Sequence, residues 1–309
     1  MFAPMRPRAF VSRSLPVIAL VAVLAAGSAC SLKTMAMKSV SGALSETGDV
    51  FTRDDDPELV AGASEFALKL YEVLLESLPR DQPLLIATCG GFTQYAYAFV
   101  QNAAEIAQFK DHDTAREGKE RAVKLYLRAK DYCFRALELR FPGISQAILQ
   151  NPTQAVAKAR KEDVPLLYWT AASWGLAIGL QTDLAIDLPS VRALAERGLA
   201  LDETWNKGAL HEIMISLESQ GDLLGGSEAR ARQHFKRAIE IQKGLSPGPN
   251  ISLAGLAVAK QDRAEFERLM KEALAIDPEK DRSNRLVIII SQRRARAMLD
   301  NIDSLFSRE

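Results

Sequence analysis

The chain has three histidines and three cysteines in 309 residues, so metal or nucleophile chemistry has few places to sit. His211 opens the phrase HEIMI. A zinc-protease helix needs a second histidine four positions on, where both rings share one face, and position 215 is Ile. His112 lies in the polar turn KDHD, and His234 stands beside Phe235. No Gly-x-Ser-x-Gly elbow or phosphate loop is present, and Gly90-Gly91 falls inside a helical pattern instead of following a strand. The acidic residues follow helix-surface spacing and form no obvious catalytic pair. These features argue against an enzyme and predict neither metal nor cofactor.

Cys30 has a different setting. Arg6, Arg8 and Arg13 precede an apolar run, Leu15 to Ala26, that ends in Gly27-Ser28-Ala29-Cys30. The run is shorter than the roughly 20 apolar residues a spanning helix needs. It resembles a signal peptide with a bacterial lipobox, although Gly27 stands where Leu is usual and Leu24 lies further upstream. The expectation is a signal peptide over 1–29, a lipidated Cys30 opening a flexible tether over 30–53, and a helical domain over 54–309. Several acyl chains on one cysteine would hold the protein durably to a membrane. Ser31 follows where an inner-membrane retention signal carries Asp. By resemblance to bacterial lipoproteins, this points to the periplasmic face of the outer membrane. The alternative is plain secretion with an incidental cysteine. In an oxidising compartment Cys89 and Cys133 can pair, because they lie about equally far from the turn near Asp111–Asp113. Equally, they can be two buried thiols.

Two uncharged aromatic stretches carry the other candidate chemistry. PLLIATCGGFTQYAYAFV (83–100) holds Phe92, Tyr95 and Tyr97; PLLYWTAASWGLAIGL (165–180) holds Tyr168, Trp169 and Trp174. Both begin Pro-Leu-Leu and carry Thr at the sixth position. Neither is long and apolar enough to span a bilayer. A helix that is apolar all round is buried on several faces. Polar-tipped aromatics suit the wall of an apolar cavity, and simple core packing accounts for each of them too. Polar groups for such a cavity would come from His211, Glu212, Gln292 and Arg293. Gln292 lies on the stripe Ile288, Gln292, Ala295, Leu299, Ile302, Phe306, so its amide must be satisfied in a buried setting, by a ligand or by a neighbouring helix end.

The elements that would position these residues are all helices. Caps and periodicity predict helices over 57–77, 83–110, 114–140, 152–161, 165–181, 189–201, 206–219, 227–242, 250–260, 263–276 and 284–306. Leu78-Pro79, Phe141-Pro142-Gly143, Gly225-Gly226 and Ser246-Pro247-Gly248-Pro249 punctuate them. No strand alternation appears. Composition is ordinary for a globular chain, at 48% apolar and 25% charged. Loss of the leader would remove three of the 39 basic residues and none of the 39 acidic ones, for a net charge of about −3. The remaining Lys and Arg are interleaved with Glu, which excludes a nucleic-acid face.

One helix type recurs. Ala231-Phe235-Ala238 has weaker copies at Phe266-Met270-Ala273, Ala129-Cys133-Ala136 and Val191-Ala195-Gly198. It resembles the second helix of a tetratricopeptide repeat. The fold expected is all-α, with irregular tetratricopeptide-repeat-like helical hairpins in one superhelical domain.

Eight phrases, in order, resemble the T component associated with tripartite ATP-independent periplasmic (TRAP) transporters. They are DDDPELV, FALKLYEVLLES, GFTQYAYAFV, LYWTAASWG, GALHE, GGSEARARQHFKRAIE, FERLMKEALAIDP and SQRRARAML, running from 54 to 299. Ile288 departs from an Asn, and Ser64-Glu65 departs from an apolar residue and a proline. The resemblance implies a periplasmic lipoprotein and a homotrimer with a hydrophobic pore or cleft in each subunit. It also implies a TRAP-type substrate-binding protein as partner, and small hydrophobic or carboxylate-bearing ligands. The competing reading is a generic repeat adaptor for envelope assembly, with no ligand. A third, an unrecognised hydrolase, would rest on His211.

Overall fold

The structure, a computed structural model, describes residues 37–39, 42 and 48–306. The expected signal peptide and Cys30 lie outside the described residues. Helix starts follow local capping chemistry. Asp56 accepts from the N–H of Leu59 at 3.0 Å, Asp81 from Leu84 at 3.0 Å, and Asp262 from Glu265 at 2.9 Å. Pro57 and Pro83 sit in first turns, where a missing N–H costs nothing.

The chain is all-α, with no strand among the described residues. In order the helices are α1 (Gly48–Thr52), α2 (Pro57–Ser77), α3 (Gln82–Tyr95), a π segment (Ala96–Gln101) and α4 (Asn102–Ala107). Then come α5 (His112–Arg140), α6 (Ile144–Gln150), α7 (Pro152–Val156), α8 (Val164–Leu180) and α9 (Leu188–Leu201). Last are α10 (Ala209–Glu218), α11 (Glu228–Gln242), α12 (Gly248–Ala259), α13 (Arg263–Leu274) and α14 (Arg285–Asp300).

Several boundaries differ from the sequence reading. The single helix expected over 83–110 is broken by the π segment and ends at Ala107. Wider turns there rotate Tyr97 and Gln101 off the face that α3 presents. The helix expected from Asn206 begins at Ala209, because Asn206, Lys207 and Gly208 are left-handed, with φ of 45°, 58° and 78°. The helix expected over 152–161 stops at Val156. Helix α6 is not among the helices expected from the sequence, which offers only the turn signal Phe141-Pro142-Gly143 before 152. It forms because Glu138 accepts from the N–H groups of Gly143 and Ser145 at 2.8 and 2.7 Å, while Ile144 and Ile148 are buried. Helix α1 falls within the stretch read as tether, and its Phe51 packs against Val60, Leu286 and Ile290.

Packing runs from helix to helix and closes on itself. α2 packs on α3, α3 on α5, α5 on α8, α8 on α9, and α9 on α10. α10 packs on α11 and α12, α12 on α13, and α13 on α14; α14 then returns to α1, α2 and α4. One core cluster fills the N-terminal part around Leu84, Leu85, Tyr126, Leu167 and Leu194. A second fills the C-terminal part around Phe266, Leu269 and Met270. The seam of Val60, Leu286 and Ile290 closes the ring. Small residues set the close approaches. A Cβ on Gly90 would stand 2.9 Å from Cε2 of Trp169, so only glycine lets α3 meet α8 there. Cys89 and Cys133 form a disulfide, with Cα atoms 5.4 Å apart, tying α3 to α5.

Candidate functional site

The ring brings three of the sequence-predicted residues toward one another: Tyr97 of the π segment, Tyr168 of α8 and Glu212 of α10. Tyr97 is 36% exposed, and Tyr168 and Glu212 are partly exposed. Burial pushes the Tyr97 hydroxyl above its ordinary range, with Arg294 opposing and Glu105 and Glu212 assisting. Burial also pushes the Tyr168 hydroxyl up, with the fields of Glu212 and Tyr97 adding to it. The Glu212 carboxyl is raised by burial, against a hydrogen bond from Gln242. Partial solvent contact combined with strong desolvation groups these three side chains as one water-reached interior cluster.

A chain of polar contacts runs beside this cluster. The Tyr126 hydroxyl donates to Oε1 of Gln101 at 2.5 Å, and Nε2 of Gln101 donates to Glu105 at 2.7 Å. Arg294 pairs with Glu105 at 2.7 Å and donates to the Tyr97 hydroxyl at 2.9 Å. Nε of Arg294 is buried with no partner among the described residues. On the opposite side, Nε2 of Gln242 donates to Oε1 of Glu212 at 2.7 Å. Tyr168 meets Trp169 edge-on and Trp205 at a tilt, with centroids 4.8 Å apart in both pairs.

The remaining expected site residues lie elsewhere. Phe92 is buried and stacks on Tyr132 at 5.9 Å, with Arg128 over its ring. The Tyr95 hydroxyl is held by Glu65 and by Arg121. Trp174 is 2% exposed; its Nε1 donates to Asp187 at 3.2 Å and its ring meets Phe134 edge-on. Gln292 donates to the carbonyls of Ala273, Leu274 and Ile276 at 3.2, 3.3 and 2.6 Å, which ties α14 to the end of α13. Arg293 is exposed and pairs with Glu58 of α2. His211 points away from Glu212. Its Nδ1 lies 2.9 Å from Nδ1 of His234, and its Nε2 lies 3.4 Å from Glu203. Burial lowers the affinity of His211 for a proton, with Glu203 opposing.

Arg294, Glu105, Gln101, Tyr126, Gln242 and Trp205 were not singled out from the sequence. A signal existed for two of them, because Gln101 and Glu105 stand four apart on an otherwise uncharged helix.

Two open clefts have linings that share no residue with this cluster. One of about 890 Å³ runs between α5, the end of α8 and Leu305, with Phe109, Val123, Leu127 and Leu180 in its lining. Another of about 460 Å³ borders Phe134 and Arg135. Neither contains a sequence-predicted site residue. Among the described residues no cluster of three His, Cys, Asp or Glu is placed to hold a metal, and no helix is long and apolar enough to cross a membrane.

Fold and site together define an all-α protein whose helices close into a ring around a polar and aromatic interior. A family model described as TRAP transporter T-component matches residues 53–306, and the chain belongs to that family. Membership ties it to TRAP transport, among transporter components and not in a family of enzymes. An uncharacterized protein of Treponema pallidum (strain Nichols) is 30% identical over 301 residues, covering 90% of this chain and 93% of that protein.

Proposed function

We propose that this chain is a non-enzymatic periplasmic lipoprotein, anchored at Cys30 to the periplasmic face of the outer membrane. It binds a TRAP-type substrate-binding protein and helps small hydrophobic or carboxylate-bearing ligands pass through an internal chamber bordered by Tyr97, Tyr168, Glu212 and Arg294. Its helices act as tetratricopeptide-like hairpins, and three copies assemble, each with its own chamber.

The observation that carries this reading is the convergence of Tyr97, Tyr168, Glu212 and Arg294 from four separated segments onto one interior. A packing core would place aliphatic side chains there, because desolvating polar and charged groups costs stability even when they are paired. Partial exposure inside a ring suits a ligand path.

The test is a pull-down. Detergent-solubilised full chain is immobilised, periplasmic extract is passed over it, and bound proteins are identified by mass spectrometry. Recovery of a TRAP-type substrate-binding protein is expected. Recovery of envelope-assembly proteins alone would replace this reading with the adaptor one. The exposed outer stripe of α2, with Leu59, Phe66 and Val73 seven apart, gives that alternative a surface.

A further inference from the structure

The chemical class of the ligand follows from Glu212, on the reading that the chamber holds a ligand. The two buried acids among the described residues have cations. Glu218 is held by Arg192 and Arg230, and Asp163 by Arg140. Within the chamber, Glu105 is taken by Arg294. Glu212 has only the neutral amide of Gln242, and no Lys or Arg among the described residues pairs with it. Its other oxygen faces Gly248 so closely that a Cβ there would stand 2.3 Å from Oε2. A desolvated carboxyl without a cation is costly, and a cationic ligand relieves that cost.

The rings beside Glu212 fit the same guest. Tyr168 lies within the field of Glu212 and contacts Trp169 and Trp205 at 4.8 Å. Aromatic faces attract a positively charged nitrogen. At the far side, the Tyr97 hydroxyl accepts from Arg294 and so keeps its own proton free to donate. That donor, polarised by a guanidinium, suits a carboxylate.

We propose that the chamber takes a small zwitterion. Its ammonium group lies between Glu212 and the rings of Tyr168, Trp169 and Trp205, and its carboxylate accepts from the Tyr97 hydroxyl. A simple anion would meet Glu212 directly, and a neutral ligand would leave that carboxyl unrelieved.

Two isosteres test the charge alone. γ-Butyrobetaine and 5,5-dimethylhexanoate share a shape and a carboxylate; one carries a quaternary nitrogen where the other carries carbon. Calorimetric titration of the detergent-solubilised full chain is expected to show the betaine binding at least about tenfold more tightly, a modest return for one ion pair and a cation–π contact. Glu212→Gln should bring the two within about twofold of each other. Gly248→Ala should do the same without changing charge, because its new Cβ displaces the carboxyl. Circular dichroism confirms that each variant is folded. Equal binding by the wild type, a preference that survives both substitutions, or binding of neither compound would overturn the inference. The neutral probe N-phenyl-1-naphthylamine is titrated alongside. If it binds while neither isostere does, the zwitterion fails and the chamber stands; if nothing binds, both fail.

Discussion

Arg294, on the last helix, donates to the hydroxyl of Tyr97, 197 positions earlier in the chain, at 2.9 Å. The same guanidinium holds Glu105 of α4. The contact joins the two ends of the ring and borders the proposed chamber, so closure and the proposed site depend on one residue. The first prediction concerns this residue. Arg294→Met leaves Glu105, 18% exposed, without its cation. Loss of one partner of a largely buried pair costs about 3 kcal/mol. Urea unfolding should show that loss, and adding Glu105→Gln should recover at least half of it.

The disulfide gives a second prediction. Cys89 and Cys133 close a loop with a sequence separation of 44. Chain entropy assigns such a loop about 4 kcal/mol of stabilisation. Dithiothreitol should lower the midpoint of a thermal melt by at least about 5 °C. The Cys89→Ala, Cys133→Ala double variant should melt low with or without reductant.

The third concerns acid. Burial lowers the proton affinity of His211, and burial together with the field of His211 does the same for His234. The unfolded chain therefore takes up protons first as pH falls through about 6.5. Stability contributed by the neutral pair is present above that value and declines below it, until the folded pair protonates as well. Glu203 opposes the effect at His211, and the raised Glu212 works in the opposite sense below neutrality. The His211→Phe, His234→Phe double variant should lose less stability than wild type between pH 7.5 and 5.5, measured by urea midpoint.

A fourth prediction concerns Glu212. Ionised at high pH, it is a desolvated, partly exposed charge without a cation among the described residues, so the raised carboxyl lowers stability as pH climbs through its folded value. Glu212→Gln should melt at least as high as wild type at pH 8, with a smaller advantage at pH 5. A lower melting temperature at pH 8 would mean that the carboxylate is solvated or paired.

Local signals were legible in the sequence, and nonlocal closure was not. The caps at Asp56, Asp81 and Asp262 can be read because their chemistry spans three residues. The all-α class can be read from periodicity. The π segment left no mark, since AYAFVQ suits an α-helix equally well. Pairing of Cys89 with Cys133 stayed open because it needs a distance. Arg293 was read in place of Arg294 for a physical reason. A single stripe, Ile288 to Phe306, was taken as the one buried face of α14. The helix is packed on a second side as well, and there Leu286, Ile290 and Arg294 recur every four residues against Val60, Phe99 and Tyr97. Trp174 could not be told from Trp169 by type or by spacing. One donates to Asp187 in the core, and the other packs against Gly90 and Tyr168.

The central claim, that Tyr97 and Tyr168 border a ligand path while Trp174 belongs to the core, is tested most directly by fluorescence titration. N-phenyl-1-naphthylamine is titrated into the full chain, the Tyr97→Ala, Tyr168→Ala variant and Trp174→Ala, with urea unfolding run on each. The account predicts that the tyrosine pair weakens the probe by at least about tenfold with most stability retained, a loss of about 1.4 kcal/mol or more. Trp174→Ala should cost about 3–5 kcal/mol of stability and leave affinity per folded molecule unchanged. Unchanged affinity in the tyrosine variant, or a loss that only tracks unfolding in all three proteins, would contradict it.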